Sequence, residues 1–223
     1  MKKINIAIDG GAGTGKSTVS GLVAEKLGYT FVSSGLIYRA IAYYAISQNI
    51  DYLSETTMQD NLHNINIQTK IEGRSFAIIL NKKDVTNLLH TQELSKATSD
   101  ISKYIEVRNF VTAIVRDLAK DNNIIMEGRD IGTVILPDAE FKFFLTASSR
   151  VLAERRFKDL IKTDPFITVE EIEKGIIKRD KEDSEREHGR LVAASDAIKI
   201  DTGNYNIEEV VNIVIDTVKK DKE

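Results

Sequence analysis

The chain has 223 residues, 42% of them hydrophobic, with 31 Lys and Arg against 34 Asp and Glu for a formal charge of −3. That length suits one compact domain with small insertions, and the composition excludes disorder and fibrous repeats. The absence of cysteine excludes a disulfide framework, a thiolate metal site and a cysteine nucleophile, and near-zero charge removes the broad attraction on which non-specific nucleic-acid binding relies.

Ile4-Asn5-Ile6-Ala7-Ile8 reads as a short strand. It is broken by Asn5, ends at Asp9, and is shorter than the ~7 apolar residues of a secretory h-region. No later stretch reaches the roughly 18 to 20 apolar residues of a membrane span. The expectation is a cytoplasmic protein with no membrane and no nucleic-acid partner. After a glycine cluster, Val19, Leu22, Val23 and Leu27 mark one face of a helix, and Ser34 caps a second helix through about Gln48, with Ile37, Ile41, Tyr44 and Ala45 inward. Between about Asp51 and Ser99 the pattern changes. Ile65 to Gln68 alternates with period two, a turn falls at Glu72-Gly73, and Phe76 to Leu80 follows as a second strand, giving a small antiparallel sheet. Ile124 to Met126, Phe141 to Leu145 and Ala197 to Ile200 are short apolar runs separated by helical segments, as in a parallel sheet. Thr168 with Glu171 opens a very polar helix, and Asn206 with Glu209 opens a last one carrying Ile207, Val210, Val211, Val214 and Val218. The fold class is α/β, three-layered around a parallel central sheet. The core spans residues 1–50 and 100–223, with an insertion at 51–99 and a highly charged segment at 154–190.

Gly10-Gly11-Ala12-Gly13-Thr14-Gly15-Lys16-Ser17 fits the pattern G-x-x-x-x-G-K-[ST] and lies between a strand and a helix, where such a loop must lie. Glycines let successive N–H groups turn inward at a helix N-terminus, whose dipole favours an anion; Lys16 adds a point charge for the β and γ phosphates, and Ser17 a hydroxyl for Mg²⁺. The spacing of a dinucleotide-binding fingerprint is absent. Asn81-Lys82-Lys83-Asp84 mimics the N-K-x-D pattern of a GTPase switch, but none of the 13 glycines has Asp three residues earlier, and the tetrapeptide suits a hairpin turn. A kinase is favoured over a switch or an ATP-driven machine by the arginines spread along the chain, since phosphoryl transfer needs cations around three anionic oxygens. Arg179, Asp183 and Arg186 share one face of the polar helix. Another small-metabolite P-loop kinase remains the alternative, distinguished by lacking the 51–99 insertion.

Gly10 to Ser17, Ser34-Gly35-Leu36-Ile37-Tyr38-Arg39, Thr91-Gln92-Glu93, Gly128-Arg129-Asp130-Ile131-Gly132-Thr133-Val134, Pro137-Asp138-Ala139 and Arg179-Asp180 through Arg186 occur in that order. From about Ile4 to Val214 the chain thereby resembles the bacterial cytidylate (CMP/dCMP) kinases, P-loop nucleoside monophosphate kinases. The resemblance implies a P-loop NTPase core, an NMP-binding insertion at 51–99 and a lid at 154–190. It also implies transfer of the γ-phosphoryl group of ATP to CMP or dCMP, with Mg²⁺ accompanying ATP, by a monomer. By position, Gly10 through Ser17 with Thr18, Arg155 and Arg156 would bind ATP, with Ser17 on the metal. Ser99, Arg108 and Asp130 would contact cytosine; Arg39, Arg129 and Arg186 would hold the acceptor phosphate. Ser34, Tyr38, Arg179 and Asp183 would complete the CMP site, and Lys16, Arg129, Arg179 and Arg186 would be catalytic.

These roles make chemical sense. An Asp accepts from the cytosine 4-amino group and an Arg donates to O2 and N3, whereas the C4 carbonyl of uracil would face an acceptor. No general base is needed, because a phosphate monoester is already mostly dianionic at neutral pH. His63, His90 and His188 accordingly read as surface or turn residues. The sequence departs from the family pattern at Gly11, where Pro is usual, at Ser33 and Glu127, where Asp is usual, at Leu152, where Arg is usual, and at His188-Gly189.

Overall fold

The computed structural model describes residues 3–72, 75–162 and 164–220. In chain order, strand β1 (Asn5–Gly10) leads through the glycine loop to α1 (Lys16–Leu27), then β2 (Thr30–Ser33) and α2 (Ser34–Ser47). Next come α3 (Glu55–Asn61), β3 (Ile67–Glu72), β4 (Ser75–Leu80), β5 (Lys83–Asp84), α4 (Gln92–Ile101) and α5 (Ile105–Asp121). The remainder comprises β6 (Ile124–Gly128), a π-helical turn (Ile131–Ile135), β7 (Phe141–Thr146), α6 (Ser149–Leu160), α7 (Val169–Glu185), β8 (Ile198–Asp201) and α8 (Ile207–Lys220).

Five parallel strands form the central sheet in the order β2-β6-β1-β7-β8. Strand alternation divides the apolar residues between its two faces. Ala7, Val32, Ile124 and Met126 enter a cluster with α2 and α5, while Ile6, Ile8, Ile125, Phe143, Leu145 and Ile200 enter another with α1 and α8. Burial on both faces explains why β1 and β6 read as short apolar runs, whereas β8 at the sheet edge buries only Ile200. The register places Ser33 beside Glu127 and Asp9 beside Gly128, so β1, β2 and β6 end together at the edge where open parallel sheets bind ligands.

The small antiparallel sheet pairs Ile67 with Leu80 through to Glu72 with Ser75; Gly73, the second residue of the expected turn, lies outside the described residues. Asn81 and Lys82, both at positive φ (47° and 71°), make the two-residue turn from β4 to β5. The Asn81 side chain accepts from the Asn66 N–H at 2.8 Å and donates to the Asn64 carbonyl at 3.2 Å. The guanine-reading mimic is thus a hairpin turn. Ile78 and Leu80 of this sheet share one apolar cluster with Ile37 and Ile41 of α2. Residue 99 falls inside α4 and residue 154 inside α6.

Several local expectations are corrected. Ser34 is the first residue of α2 rather than its cap; Ser33 takes that position, and the Ser34 hydroxyl donates across to the Glu127 carbonyl at 3.0 Å. Tyr38 is buried along α2, Tyr44 packs against the same core while only partly buried, and Ile207 in the first turn of α8 is 52% exposed. Strand β3 begins at Ile67, not Ile65. The capping boxes hold: Thr168 with Glu171 at α7, and Asn206 with Glu209 at α8.

Because β4 shares its apolar contacts with α2, the small sheet and the central sheet are expected to unfold together. Ile78→Ala, at a fully buried site, should cost about 2–5 kcal/mol. Urea transitions followed by tyrosine fluorescence and by circular dichroism should shift together; a separate early transition would show an independently folding segment.

Candidate active site

The Gly10–Ser17 loop enters α1 with Gly13 and Gly15 at φ +80° and +86°, and Gly15 is the α1 cap without any side-chain bond. The first turn carries no acidic residue, which leaves its N–H groups suited to an anion. Lys16 is buried, and its ammonium donates to the Gly11 carbonyl at 2.5 Å and the Thr14 hydroxyl at 3.3 Å. Burial, reinforced by Arg129, pushes its pKa down to about 7 against the opposing pull of Glu127, Asp9 and Asp180. From α7, Asp180 Oδ1 accepts the Ala12 N–H at 3.2 Å. A Cβ at position 11 would lie 2.6 Å from Asp180 Oδ2, so Gly11 is what admits that carboxylate.

Beside the loop opens a cleft of about 580 Å³. Lys16, Arg39, Arg108, Arg129, Arg156, Arg179 and Arg186 line it, and the carboxylates in its wall are Glu127, Asp130 and Asp183. Ala12, Gly13, Ser17, Ser34, Tyr38 and Ser99 line it too. Gly10, Gly11, Thr14 and Gly15 shape the loop from outside the cleft wall, and Thr18 is exposed on α1. Arg155 turns elsewhere, donating to the Thr202 hydroxyl at 3.1 Å and the Thr202 carbonyl at 2.5 Å, which ties α6 to the end of β8.

Arg39, Arg108, Arg129 and Arg186 are each anchored by a protein group. Asp183 accepts from Arg129 Nε at 3.0 Å and pairs with Arg186 at 2.5 Å. Arg186 also donates to the hydroxyls of Ser102 and Ser99 at 3.2 and 3.3 Å, and Arg39 donates to the Leu89 carbonyl at 2.7 Å and Ser95 Oγ at 2.8 Å. Deepest is the pair of Arg108 and Asp130, both buried; Arg108 also donates to the Ser102 carbonyl at 3.0 Å. The Tyr38 ring lies 5.9 Å from the Arg108 guanidinium, and burial, with Asp130, holds the Tyr38 hydroxyl neutral by raising its pKa. Ser33 Oγ donates to Glu127 Oε1 at 2.6 Å, so these two side chains occupy one another. The Tyr38 hydroxyl, the Thr98 hydroxyl and Arg179 Nε are buried without a hydrogen-bond partner although their residues line the cleft. Such groups are costly to bury unsatisfied and mark where a polar ligand belongs.

The residue pattern of the cytidylate kinase family matches residues 6–220. The chain belongs to that family. It is 44% identical over 220 residues to the cytidylate kinase of Caldicellulosiruptor saccharolyticus, covering 99% of this chain and 97% of the relative. It is 42% identical over 215 residues to that of Thermosipho melanesiensis, covering 96% of both. Among solved structures, a gluconokinase from Sinorhizobium meliloti superposes with a TM-score of 0.50 at 15% identity, covering 97% of this chain and 92% of that one, a likeness of fold. An uncharacterized protein from Eubacterium ventriosum gives a TM-score of 0.53 at 13% identity, covering 98% and 99% of the two chains.

Sequence reasoning missed several members of the site. Asp9, at the end of β1, accepts from the N–H groups of Ile131 and Gly132 at 2.8 Å each, clamping the turn that follows Arg129 and Asp130. Burial raises its pKa to about 6 despite those two bonds. An acidic residue closing an apolar strand was visible, but nothing local told which N–H groups it would meet. Ser95, Ser102, Thr98 and His90 also line the cleft, and their polar side chains on short, unremarkable segments carry no signal of it.

The lowered pKa of Lys16 has a stability consequence. Below about pH 7 the ammonium is charged in both folded and unfolded chains and its burial penalty is complete; between about 7 and 10.5 the unfolded chain holds the proton that the folded chain has lost, so wild-type stability gains as pH rises. Lys16→Met should therefore melt above wild type near neutral pH, with the margin shrinking toward pH 10. A margin independent of pH would contradict the burial of the charge.

Proposed function

We propose that this chain transfers the γ-phosphoryl group of ATP to CMP or dCMP, giving ADP and CDP or dCDP. The observation that carries this reading is one cleft lined by Lys16 of the phosphate loop and six guanidiniums, one of which, Arg108, is held in a buried pair with Asp130. Membership of the family supplies the reaction class, a nucleoside monophosphate kinase.

In this reading the loop N–H groups and Lys16 hold the β and γ phosphates of ATP, and Arg156 adds charge from α6. Arg39, Arg129 and Arg186 take the acceptor phosphate, bringing its oxygen in line with the γ-phosphorus. Arg179 joins Lys16, Arg129 and Arg186 in balancing the negative charge on the transferring group, in a site that excludes water. Asp130, Arg108 and Ser99 meet the cytosine edge, and Ser34, Tyr38 and Asp183 complete the pocket. The acceptor phosphate needs no base to deprotonate it.

The residues present fit Mg²⁺. Ser17 and Glu127 offer hard oxygen donors in the cleft beside Lys16, and this ion characteristically takes few protein ligands and several phosphate oxygens. When bound with ATP, it shields the phosphate oxygens as the transfer proceeds. The wider division is a core at 1–50 and 100–223, an acceptor-binding insertion at 51–99 and a lid at 154–190. Supporting the lid, α6 and α7 carry their own small apolar cluster of Leu152, Ala153, Ile172 and Ile176, separate from the two on the sheet. The reading includes a cytoplasmic monomer with small-molecule partners only. Among the described residues no helix is long and apolar enough to cross a membrane.

A coupled assay of ATP consumption across CMP, dCMP, UMP, AMP and GMP is the test. Turnover should require an added monophosphate, be best with CMP and dCMP, and vanish in Lys16→Met. Asp130→Asn should lower the CMP-to-UMP ratio of kcat/KM by about 10- to 100-fold. Equal use of all acceptors, or hydrolysis with none, would remove the reading; an unchanged ratio would remove Asp130 from base recognition.

A further inference from the structure

Gly189, just beyond the end of α7, is buried and sits at φ +67°. Its backbone lies directly against the end of Arg108: a Cβ there would fall on the guanidinium carbon and both terminal nitrogens, far inside contact distance. That guanidinium is already enclosed by the Asp130 carboxylate, the Ser102 carbonyl and the Tyr38 ring. Gly189 closes the remaining side. Only glycine satisfies both the conformation and the space.

Two bonds decide which partner would yield to a side chain. The Leu191 N–H donates to the Asp183 carbonyl at 2.9 Å, and Arg190 Nε donates to the Arg186 carbonyl at 2.7 Å, so the segment around Gly189 is strapped to the end of α7. Arg108, by contrast, reaches this point with the far end of a long side chain, held there by side-chain contacts to Asp130 and the Ser102 carbonyl. A methyl group at 189 would therefore displace the guanidinium from Asp130 before it displaced the backbone.

We propose that Gly189 is a specificity-determining position: by presenting bare backbone to Arg108, the segment leaving the lid fixes the guanidinium in its pairing with Asp130, and through it the choice of acceptor base. Gly189 touches no substrate in this proposal; it is a positioning residue. The inference rests on the reading that Arg108 and Asp130 meet the cytosine edge. It also links the lid to base recognition, because the segment that covers Arg108 is the one strapped to α7.

The test compares Gly189→Ala and Gly189→Asn with two references. Asn tolerates a left-handed backbone better than Ala and guards against loss of folding. Gly28→Ala carries the same backbone strain, φ +69°, but its Cβ would meet nothing within 4 Å. Arg108→Ala tests the underlying reading. For each, kcat/KM for CMP and UMP, KM for ATP and the melting temperature are measured. The expected result is a CMP-to-UMP ratio lowered about tenfold or more in both Gly189 variants, with KM for ATP unchanged. Gly28→Ala should lose stability and keep the ratio. If Arg108→Ala lowers the ratio and the folded Gly189 variants do not, the inference falls and the reading stands. If Arg108→Ala leaves the ratio unchanged, both fall. Failure of both Gly189 variants to fold would also overturn it, since the cost would then lie in the fold rather than in Arg108.

Discussion

Seven cationic side chains share one cleft in a chain whose net charge is −3, and their mutual repulsion is the constraint around which the site is organised. Like charges gathered in a partly desolvated space are unfavourable unless opposite charge is interleaved. The protein supplies part of it: Asp183 lies between Arg129 and Arg186, Asp130 holds Arg108, and Asp180 reaches the phosphate loop. Among the lining side chains the balance remains positive; Lys16 is pushed down to about 7 chiefly by burial, with Arg129 adding to it and Glu127, Asp9 and Asp180 opposing. A site with this surplus binds polyanions because they relieve it. Two phosphate-bearing nucleotides brought together do so more fully than one.

The fold explains how the charges come from so far apart in sequence. Strands β1, β2 and β6 finish at one edge, delivering the phosphate loop, Ser33 and Glu127, and then Arg129 and Asp130, to the same place. Asp9 locks that edge by holding the backbone after Asp130. Helix α2 adds Tyr38 and Arg39, α4 and α5 bracket Ser99, Ser102 and Arg108, and α7 closes the side with Arg179, Asp183 and Arg186. The residues proposed for the base and those proposed for the phosphate thus share one network, with Arg186 joined to Asp183, Ser99 and Ser102.

Much of this was legible in the residues. The glycine loop declares itself because phosphate binding demands a rare backbone, and the buried strands read plainly because both faces are apolar. The i, i+4 spacing of Arg179 and Asp183 on α7 announced a face that lines the cleft, whereas Arg186, expected on the same helix face, joins them from the cap position just past the helix. Strand β2 escaped notice: four residues, Thr30–Ser33, hold too little pattern to distinguish from a loop. The roles of Asp9, Asp180 and Ser102 were equally hidden, because each depends on a backbone group or side chain brought near only by tertiary packing. Ser33 and Glu127 read as two separate positions where Asp is usual, only the first of which gives up a charge. Their hydrogen bond shows one longer carboxylate held by a hydroxyl.

The surplus of positive charge gives the sharpest test. CMP and cytidine carry the same base and sugar and differ by the phosphate, so thermal unfolding of the wild-type chain with each, at equal concentration and low salt, isolates what the arginines contribute. At a concentration about 100-fold above its Kd, CMP should stabilise the fold by about 2.7 kcal/mol and raise Tm by roughly 5–10 °C, while cytidine should leave it nearly unmoved. Equal shifts with both, or none with CMP, would contradict a cleft organised around phosphate.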